Sequence, residues 1–408
     1  MTPSKPQAGT LAIAALSLFT LLTAIFIVLF PERAFKASLD GLTIWWKIVF
    51  PALLPYLVFV RLFTDSGAIT WFARLLQPLM RTAFRLPGAG SRALASGLIA
   101  GWPAGADTVM RLVKERQLTV HEAERLLALS HSVNPVVAVH VIAVGLLNNV
   151  KLGWFLLTVH IASLWCTGIF LRIRSHRHES KKGGSTTEPP RLQAQQESVG
   201  FGKRLGDAVL DSIQMLLKIG GTIMIFSVLI TVAELAFEQT WALFGISLPM
   251  VQKAFVPLIS AVSEIHWGAY QLSQFHPIAP LSLAIVLSAM LAWSGMSAHL
   301  QVQSIVRDSG MRYLKFVSFR LVHAAFAAAI AWIAWPWAEP LITSGVPSGS
   351  TFAGMFPYDT LNQGPFFPIP EGWWWMCVWA AFVIILFFLL SALCAALNLF
   401  RRSGFRRF

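Results

Sequence analysis

Four stretches of the sequence place glycine, proline, serine, asparagine, glutamate or histidine in the middle of apolar runs. A break in an apolar helix leaves backbone N–H groups exposed at one tip and C=O groups at the other. The N–H tip attracts anions through the helix dipole and its free donors, so several such tips together could bind a small anion. The candidate substrate-binding residues are Gly101, Trp102, Pro103, Gly105, Ser132, Asn134, Glu264, His266, Trp267, Ser294, Gly295 and Gln301.

The cluster Gly101, Pro103 and Gly105 has two explanations. Glycine lets a ligand approach the backbone, and proline removes a donor and forces a turn. The cluster could also simply end a helix at a tight turn. We favour a site-forming tip, because a matching break recurs in the other half of the chain. On this hypothesis Gly105→Leu blocks the guest and leaves the fold and membrane insertion intact.

Glu264, His266, His299 and Asp107 are ionisable groups inside apolar segments, where such groups are costly and usually functional. Glu264 could bind a coupling H⁺ or Na⁺, or it could lie at the outer water interface and pair with His266. We expect coupling rather than contact with an anionic substrate. Asp107 precedes Arg111 by four residues, which favours an i,i+4 ion pair.

Ser132, Asn134, Ser294 and Gln301 offer neutral donors and acceptors at the two remaining breaks. Such side chains in membrane helices often bond only their own or a neighbouring helix. Their placement at paired breaks favours a role in the site.

Trp102, Trp267 and Trp293 lie at the breaks and could stack on an aromatic ring, whereas most other tryptophans fit an interfacial belt. His160 and His323 lie in the middle of predicted spans, where we expect them to be packing residues.

No enzyme motif is present in the sequence. His121-Glu122 begins a pattern resembling a zinc-binding HExxH, but Arg125 stands where the second histidine would be. There is no glycine-rich phosphate loop ending in Lys-Ser/Thr, no Ser/His/Asp arrangement, and no CxxC pair among the three cysteines. We therefore predict neither an enzyme nor a cofactor or metal site.

The elements that hold these breaks are predicted membrane spans. The 408 residues are 56% hydrophobic and only 12% charged, with a mean hydropathy of +0.63, which excludes a soluble enzyme, a coiled coil and a disordered protein. The net charge of +13 lies in short loops, as the positive-inside rule produces, so no nucleic-acid partner is predicted. The predicted spans are 11–30, 41–63, 126–147 (broken), 152–173, 208–235, 278–302 (broken), 313–337 and 373–400.

Loop charge sets the topology of these roughly eight spans. The basic linker 172–204 and the basic tail are predicted in the cytoplasm together with both termini. The region between Arg320 and Arg401 has no Lys or Arg and is predicted outside. Both flanks of 91–113 are basic, so this segment is predicted to be a re-entrant hairpin from the cytoplasm, and 250–273 a second one from outside.

The two halves then have the same order of elements in opposite orientation: span, hairpin, broken span, span. The predicted fold is an all-α polytopic membrane protein with two re-entrant hairpins in an inverted repeat, whose breaks share one site near the bilayer midplane. The predicted divisions are 1–40 (N-terminal span and loop), 41–173 (first repeat), 174–204 (cytoplasmic linker), 205–337 (second, inverted repeat), 338–371 (extracytoplasmic loop) and 372–408 (C-terminal span and tail).

The motifs GLIAGWPAGADTVMRL, LTVHEAERLLALSHSVNP and LGWFLLTVH, then AMLAWSGMSAHLQVQSIV and FRLVHAA, resemble the YlbJ family of sporulation integral membrane proteins over about residues 41–335. The resemblance implies a nucleoside-recognition Gate domain and an architecture similar to concentrative nucleoside transporters. It also implies movement of dipicolinate across the outer forespore membrane. One departure is Asn134-Pro135 where a Gly-Pro is expected; because Asn tolerates left-handed geometry, we expect the break to survive.

We therefore predict a transporter for a small anionic aromatic metabolite in the cell membrane or outer forespore membrane. Its predicted partners are the anion, the lipid bilayer and a coupling ion, H⁺ or Na⁺, with homo-oligomerisation left open. The alternatives are a nucleoside-type or other small-solute transporter and a non-transporting assembly protein of the spore envelope.

Overall fold

The computed structural model describes residues 8–174, 200–244, 249–275, 278–307 and 309–343, and every regular element within these ranges is helical. The predicted span 373–400, most of the basic linker and the basic tail lie outside the described residues. The α-helices are α1 (Ala8–Leu29), α2 (Pro31–Ile44), α3 (Phe50–Asp65), α4 (Ala68–Thr82), α5 (Ser91–Ala100), α6 (Ala104–Lys114), α7 (Val120–Ser130), α8 (Val150–Arg174), α9 (Phe201–Leu243), α10 (Pro249–Ser263), α11 (Ile265–Gln274), α12 (Pro280–Trp293), α13 (Gly295–Val306) and α14 (Tyr313–Thr343).

Five stretches within the described residues are long and apolar enough to cross a bilayer. They are Pro31–Asp65, Val150–Arg174, Phe201–Trp241, Pro280–Val306 and Tyr313–Thr343. The first includes a π-helical turn, Trp45–Val49, that joins α2 to α3. Shorter apolar helices such as Ile13–Leu29 accompany them. The chain is thus an all-α polytopic membrane protein, as its hydropathy predicts.

The first spans of the two halves run antiparallel. Arg33 at the start of α2 pairs with Glu238 near the end of α9 (3.9 Å), and Arg61 near the end of α3 pairs with Asp211 near the start of α9 (3.1 Å). Between them, the Trp45 indole N–H donates to the carbonyl of Leu216 (2.8 Å). Opposite directions are what an inverted repeat requires of corresponding helices.

The last spans of the two halves, α8 and α14, are also antiparallel. Asn149, just before α8, donates to the carbonyl of Ile342 near the end of α14 (3.1 Å). Further along, the ring centroids of Phe155 and Trp335 lie 5.7 Å apart. Both helices pack against the two broken spans.

Each interrupted segment forms two helices with the break inside the predicted stretch. Helices α5 and α6 pack against each other as one hairpin, and α10 and α11 as the second. The broken spans are α7 followed by a π-helix, Val137–Leu146, and α12 followed by α13. That the hairpins enter the membrane from opposite faces stays a prediction.

Local capping explains where α7 begins. Thr119 caps its N-terminus, and Glu122 completes a capping box by accepting from the Thr119 backbone N–H. The spacing of Thr119 and Glu122, three residues apart, is the sequence signature of such a box. Helix α4 is not predicted, because its apolar residues lie on one face of the helix rather than in a continuous run. The buried residues of that face are Ala73, Leu76, Leu79 and Met80.

A polar cavity between the helix breaks

A cavity of about 610 Å³ is lined by α3 and α9 together with residues of both hairpins and both broken spans. It runs from the hairpin tips to the base of the first hairpin, where Arg92 and Glu115 line it. Both halves of the chain contribute to its wall. Six of the predicted substrate-binding residues line it: Trp102, Pro103, Asn134, Glu264, His266 and Gln301.

The first hairpin tip consists of Gly101, Trp102 and Pro103. Gly101 has φ 81°, a left-handed conformation that glycine adopts without steric cost. The peptide bond between Trp102 and Pro103 is cis. Helix α6 begins directly after this turn, and no side chain caps its N-terminus. The Gly105 N–H at this end donates to the Gly101 carbonyl (3.4 Å), and Pro103 and Ala104 line the cavity.

Asn134 connects the first broken span to this tip. Its side-chain nitrogen donates to the carbonyl of Ala100 (3.4 Å), and its side-chain oxygen accepts from the backbone N–H of Val137 (2.9 Å). The break survives at Asn134-Pro135, as expected, but the reason differs. Asn134 is not among the described residues with positive φ; its side chain instead caps the helix that follows.

The second hairpin tip is a buried carboxylate. Glu264 is 3% exposed and extended, and it caps α11 by accepting from the backbone N–H of Trp267 (2.7 Å). Its other oxygen lies 2.8 Å from Nδ1 of His266. The predicted pairing with His266 is therefore present. The burial of Glu264 contradicts the alternative in which it lies at the outer water interface. Its role in coupling stays a prediction.

The second broken span contacts this tip directly. Trp293 donates its indole N–H to the carbonyl of Val262 (2.9 Å). Ser294 has φ 76° and Gly295 φ 77°, and the Gly295 backbone lies against the Ser263 carbonyl. A row of rings runs from the first tip to the second broken span. The centroid distances are 5.6 Å from Trp102 to His131, 6.5 Å from His131 to His299 and 4.1 Å from His299 to Trp293.

The other six predicted residues do not line the cavity. Gly101 and Gly295 form the turns, and Trp267 packs in the apolar core. Ser132 lies against His160 (3.2 Å), and Ser294 accepts from Arg320 (2.7 Å). These two serines bond neighbouring helices at their own breaks, which is the alternative to a role in the substrate site.

Gly105 requires a correction. A Cβ at this position would lie 2.1 Å from the carbonyl oxygen of Ser130. The absence of a side chain at Gly105 therefore lets α6 pack closely against α7, and Gly105 does not line the cavity. The expectation that Gly105→Leu leaves the fold intact is wrong for this steric reason.

Charged side chains line the rest of the cavity. Arg61 pairs with Asp211 (3.1 Å) and Arg92 with Glu115 (3.8 Å). Arg111 and Lys218 also line it, and no carboxylate oxygen of the described residues lies within 4.0 Å of either. Asp107 lines the cavity near both of them, and the predicted close ion pair with Arg111 is not formed.

Lys218 and Arg320 were not among the predicted site residues, although each lies inside a predicted span, 208–235 and 313–337 respectively. That placement was the available signal, since intramembrane charges usually mark function. Lys218 lines the cavity, and Arg320 is completely buried. His160 and His323 are buried and hydrogen-bonded, as packing histidines should be.

A second carboxylate joins the two halves away from the cavity. The Glu124 side chain is 5% exposed. Its carboxylate accepts hydrogen bonds from the Lys315 ammonium and from the backbone N–H of Arg312 (3.0 Å), and it lies 3.3 Å from Nδ1 of His121. Burial raises the pKa of Glu124, but the hydrogen bonds from these three residues outweigh it and leave that pKa below its usual value.

An all-helical polytopic chain whose paired helix breaks surround one polar cavity has the architecture of a membrane transporter. A family model described as Gate, nucleoside recognition, matches residues 46–147. A variant of the nucleoside transporter CNTnw in its intermediate 2 state shares the fold at TM-score 0.50 and 13% identity, covering 80% of this chain and 88% of that one. An inward-facing, substrate-bound CNTnw structure gives 0.48 at 12% identity, over 81% and 86% of the two chains.

The particular family follows from the sequence. The chain is 34% identical over 353 residues to the sporulation integral membrane protein YlbJ of Bacillus subtilis (strain 168). The match covers 82% of this chain and 84% of that protein. The chain belongs to the YlbJ family, as its motifs predict.

Proposed function

We propose that this protein transports a small anionic aromatic metabolite, dipicolinate, across the outer forespore membrane during sporulation. The observation that carries the proposal is the cavity of about 610 Å³, to which both hairpin tips and both broken spans contribute. A site shared by paired helix breaks is the arrangement that alternating-access transporters use. We further propose that both termini lie in the cytoplasm.

Two basic side chains of the cavity wall favour an anion. No carboxylate oxygen of the described residues lies within 4.0 Å of Lys218 or Arg111, and Asp107 is a neighbouring carboxylate of the wall. The N-terminus of α6, which no side chain caps, adds its partial positive charge. Dipicolinate is a flat aromatic ring with two carboxylates. The Trp102 indole offers a surface on which such a ring can stack. Each Glu264 oxygen already has one partner in its own tip, and its negative charge disfavours an anion, so we propose that the anion binds at the first tip.

A nucleoside is the second candidate. The Gate match supports it, and so do the side chains of Asn134, Gln301 and Glu264 in the cavity wall, which can bond hydroxyl and base edges. A non-transporting role in assembling the spore envelope would need no such cavity.

Transport by the purified protein in lipid vesicles tests these alternatives. Labelled dipicolinate and labelled uridine are offered separately to vesicles that contain only this protein. We expect saturable uptake of dipicolinate and little of uridine. Uptake of uridine alone would support the nucleoside candidate, and uptake of neither would contradict transport by this protein alone.

A substitution in the cavity links that transport to the site. Lys218→Met should raise the KM for dipicolinate between about ten-fold and a hundred-fold, because hydrogen bonds to charged groups are worth ~1.5–3 kcal/mol. Lys203→Met, on the same helix but exposed and outside the cavity, is the control and should leave the KM unchanged. Equal effects of both substitutions would exclude Lys218 from the substrate site.

A further inference from the structure

Arg320 lies where the two broken spans meet. Its guanidinium is completely buried, and no carboxylate of the described residues pairs with it. One terminal nitrogen, Nη1, donates to the carbonyl of His131 (2.7 Å), just after α7. The other, Nη2, donates to the carbonyl of Ala292 and to the hydroxyl of Ser294 (2.7 Å), at the end of α12. One side chain therefore bonds both breaks.

Helix ends supply the negative charge that Arg320 requires. Helices α7 and α12 both terminate at this point, and the C-terminus of a helix carries roughly −0.5 of an elementary charge on its unsatisfied carbonyls. Two such ends match the single positive charge of the guanidinium. This match explains how an arginine without a carboxylate can remain buried.

We propose that Arg320 is a positioning residue that acts as a resident cation, occupying the place between two half-helix C-termini where a bound Na⁺ could otherwise lie. In transporters with broken helices, unwound carbonyls and half-helix C-terminal ends coordinate the coupling cation. Here each terminal nitrogen of the planar guanidinium donates to a different break, so Arg320 links the two breaks without an inorganic ion. The inference concerns the fold and does not depend on which substrate is carried.

Thermal unfolding of the purified protein in different salts tests the proposal. We expect the wild-type Tm to be equal in sodium chloride and choline chloride at the same ionic strength. Arg320→Ala should lower the Tm by several degrees, because several buried carbonyls lose their donor. Na⁺ or millimolar guanidinium should restore part of that loss and choline none, since only the small cations can enter the vacated space. Equal loss in all three salts would overturn the proposal.

Conservative variants keep the test decisive if Arg320→Ala does not accumulate. Arg320→Lys retains the charge and should be more stable than Arg320→Gln, which retains only hydrogen-bond donors. A lysine variant no better than the glutamine variant would show that charge is not what the breaks require. Ser294→Ala removes one acceptor and should lower the Tm less than either.

Arg172→Ala is the matched control. Arg172 donates to the carbonyls of Thr82 and Ala83 at the end of α4, so it caps one helix end only and is partly exposed. Its loss should lower the Tm without any recovery specific to Na⁺ or guanidinium, because water replaces the missing donors. The same recovery in this variant would make it a general salt effect and overturn the assignment to Arg320.

Discussion

The two hairpin tips occupy corresponding places in the two repeats, yet their chemistry is opposite. The first has no ionisable side chain in its turn, and α6 begins without a side-chain cap. The second carries Glu264, which caps α11 and pairs with His266. A helix N-terminus attracts anions, and Glu264 supplies that negative charge at the start of α11. The first turn of α6 carries Asp107 instead, and no side chain caps its N-terminus. The anion site that we propose therefore lies at the first tip rather than the second.

The glycines beside the tips should give the largest effect. Gly105→Leu places carbon against the Ser130 carbonyl and should cost about 3 kcal/mol or more, preventing α6 from packing on α7. The yield of monodisperse protein and its Tm measure this. Gly221→Leu is the control, because open space surrounds Gly221. Normal folding of Gly105→Leu would restore the view that this glycine faces the guest.

Glu264 tests the second tip. Glu264→Ala removes the helix cap and should cost about 1 kcal/mol or more, whereas Glu264→Gln keeps an acceptor and should cost less. Thermal unfolding separates the two. In transport, the glutamine variant reports the role of the charge alone. Equal destabilisation by both substitutions would mean that capping is not what Glu264 contributes.

Unlike Glu264, the buried carboxylate Glu124 does not line the cavity. Its pKa in the folded protein is lower than the usual 4.5, so its ionised form stabilises the fold above that pH and the stabilisation is lost as the pH falls further. We expect the Tm of the wild type to fall more steeply below pH 4.5 than that of Glu124→Gln. Parallel pH profiles would exclude Glu124 as a link between the two halves.

Asn134→Gly should have the smallest effect. It restores the Gly-Pro pattern and removes the cap on Val137, and replacing such a cap by glycine costs about 0.5 kcal/mol or less. Transport by this variant should stay within about two-fold of the wild type. A large loss would show that the Asn134 side chain contacts the substrate.

The sequence located the breaks well because Gly101, Pro103, Asn134 and Ser294 interrupt long apolar runs, and local chemistry alone ends a helix there. It could not separate side chains that face the cavity from those that face a neighbouring helix. Asn134 and Ser132 are two residues apart, and only tertiary packing turns one toward the cavity and the other toward His160.

The bonding partners of Arg320 could not be predicted from the sequence for a related reason. The Arg320 guanidinium donates to backbone carbonyls, which every residue possesses, so no residue type in the sequence indicates where these partners lie. Helix α4 was missed because its apolar positions follow helical spacing and never form a span.

Ser294 adopts a left-handed backbone, φ 76°, which costs a residue with a Cβ about 1–2 kcal/mol. A glycine would avoid that steric cost, as the next residue, Gly295, does at φ 77°. Serine at this position instead supplies the hydroxyl that accepts from Arg320 at 2.7 Å. The second break therefore stores conformational strain that one charge-assisted hydrogen bond offsets. Weakening that bond would remove this compensation, so we expect the turn between α12 and α13 to depend on Arg320.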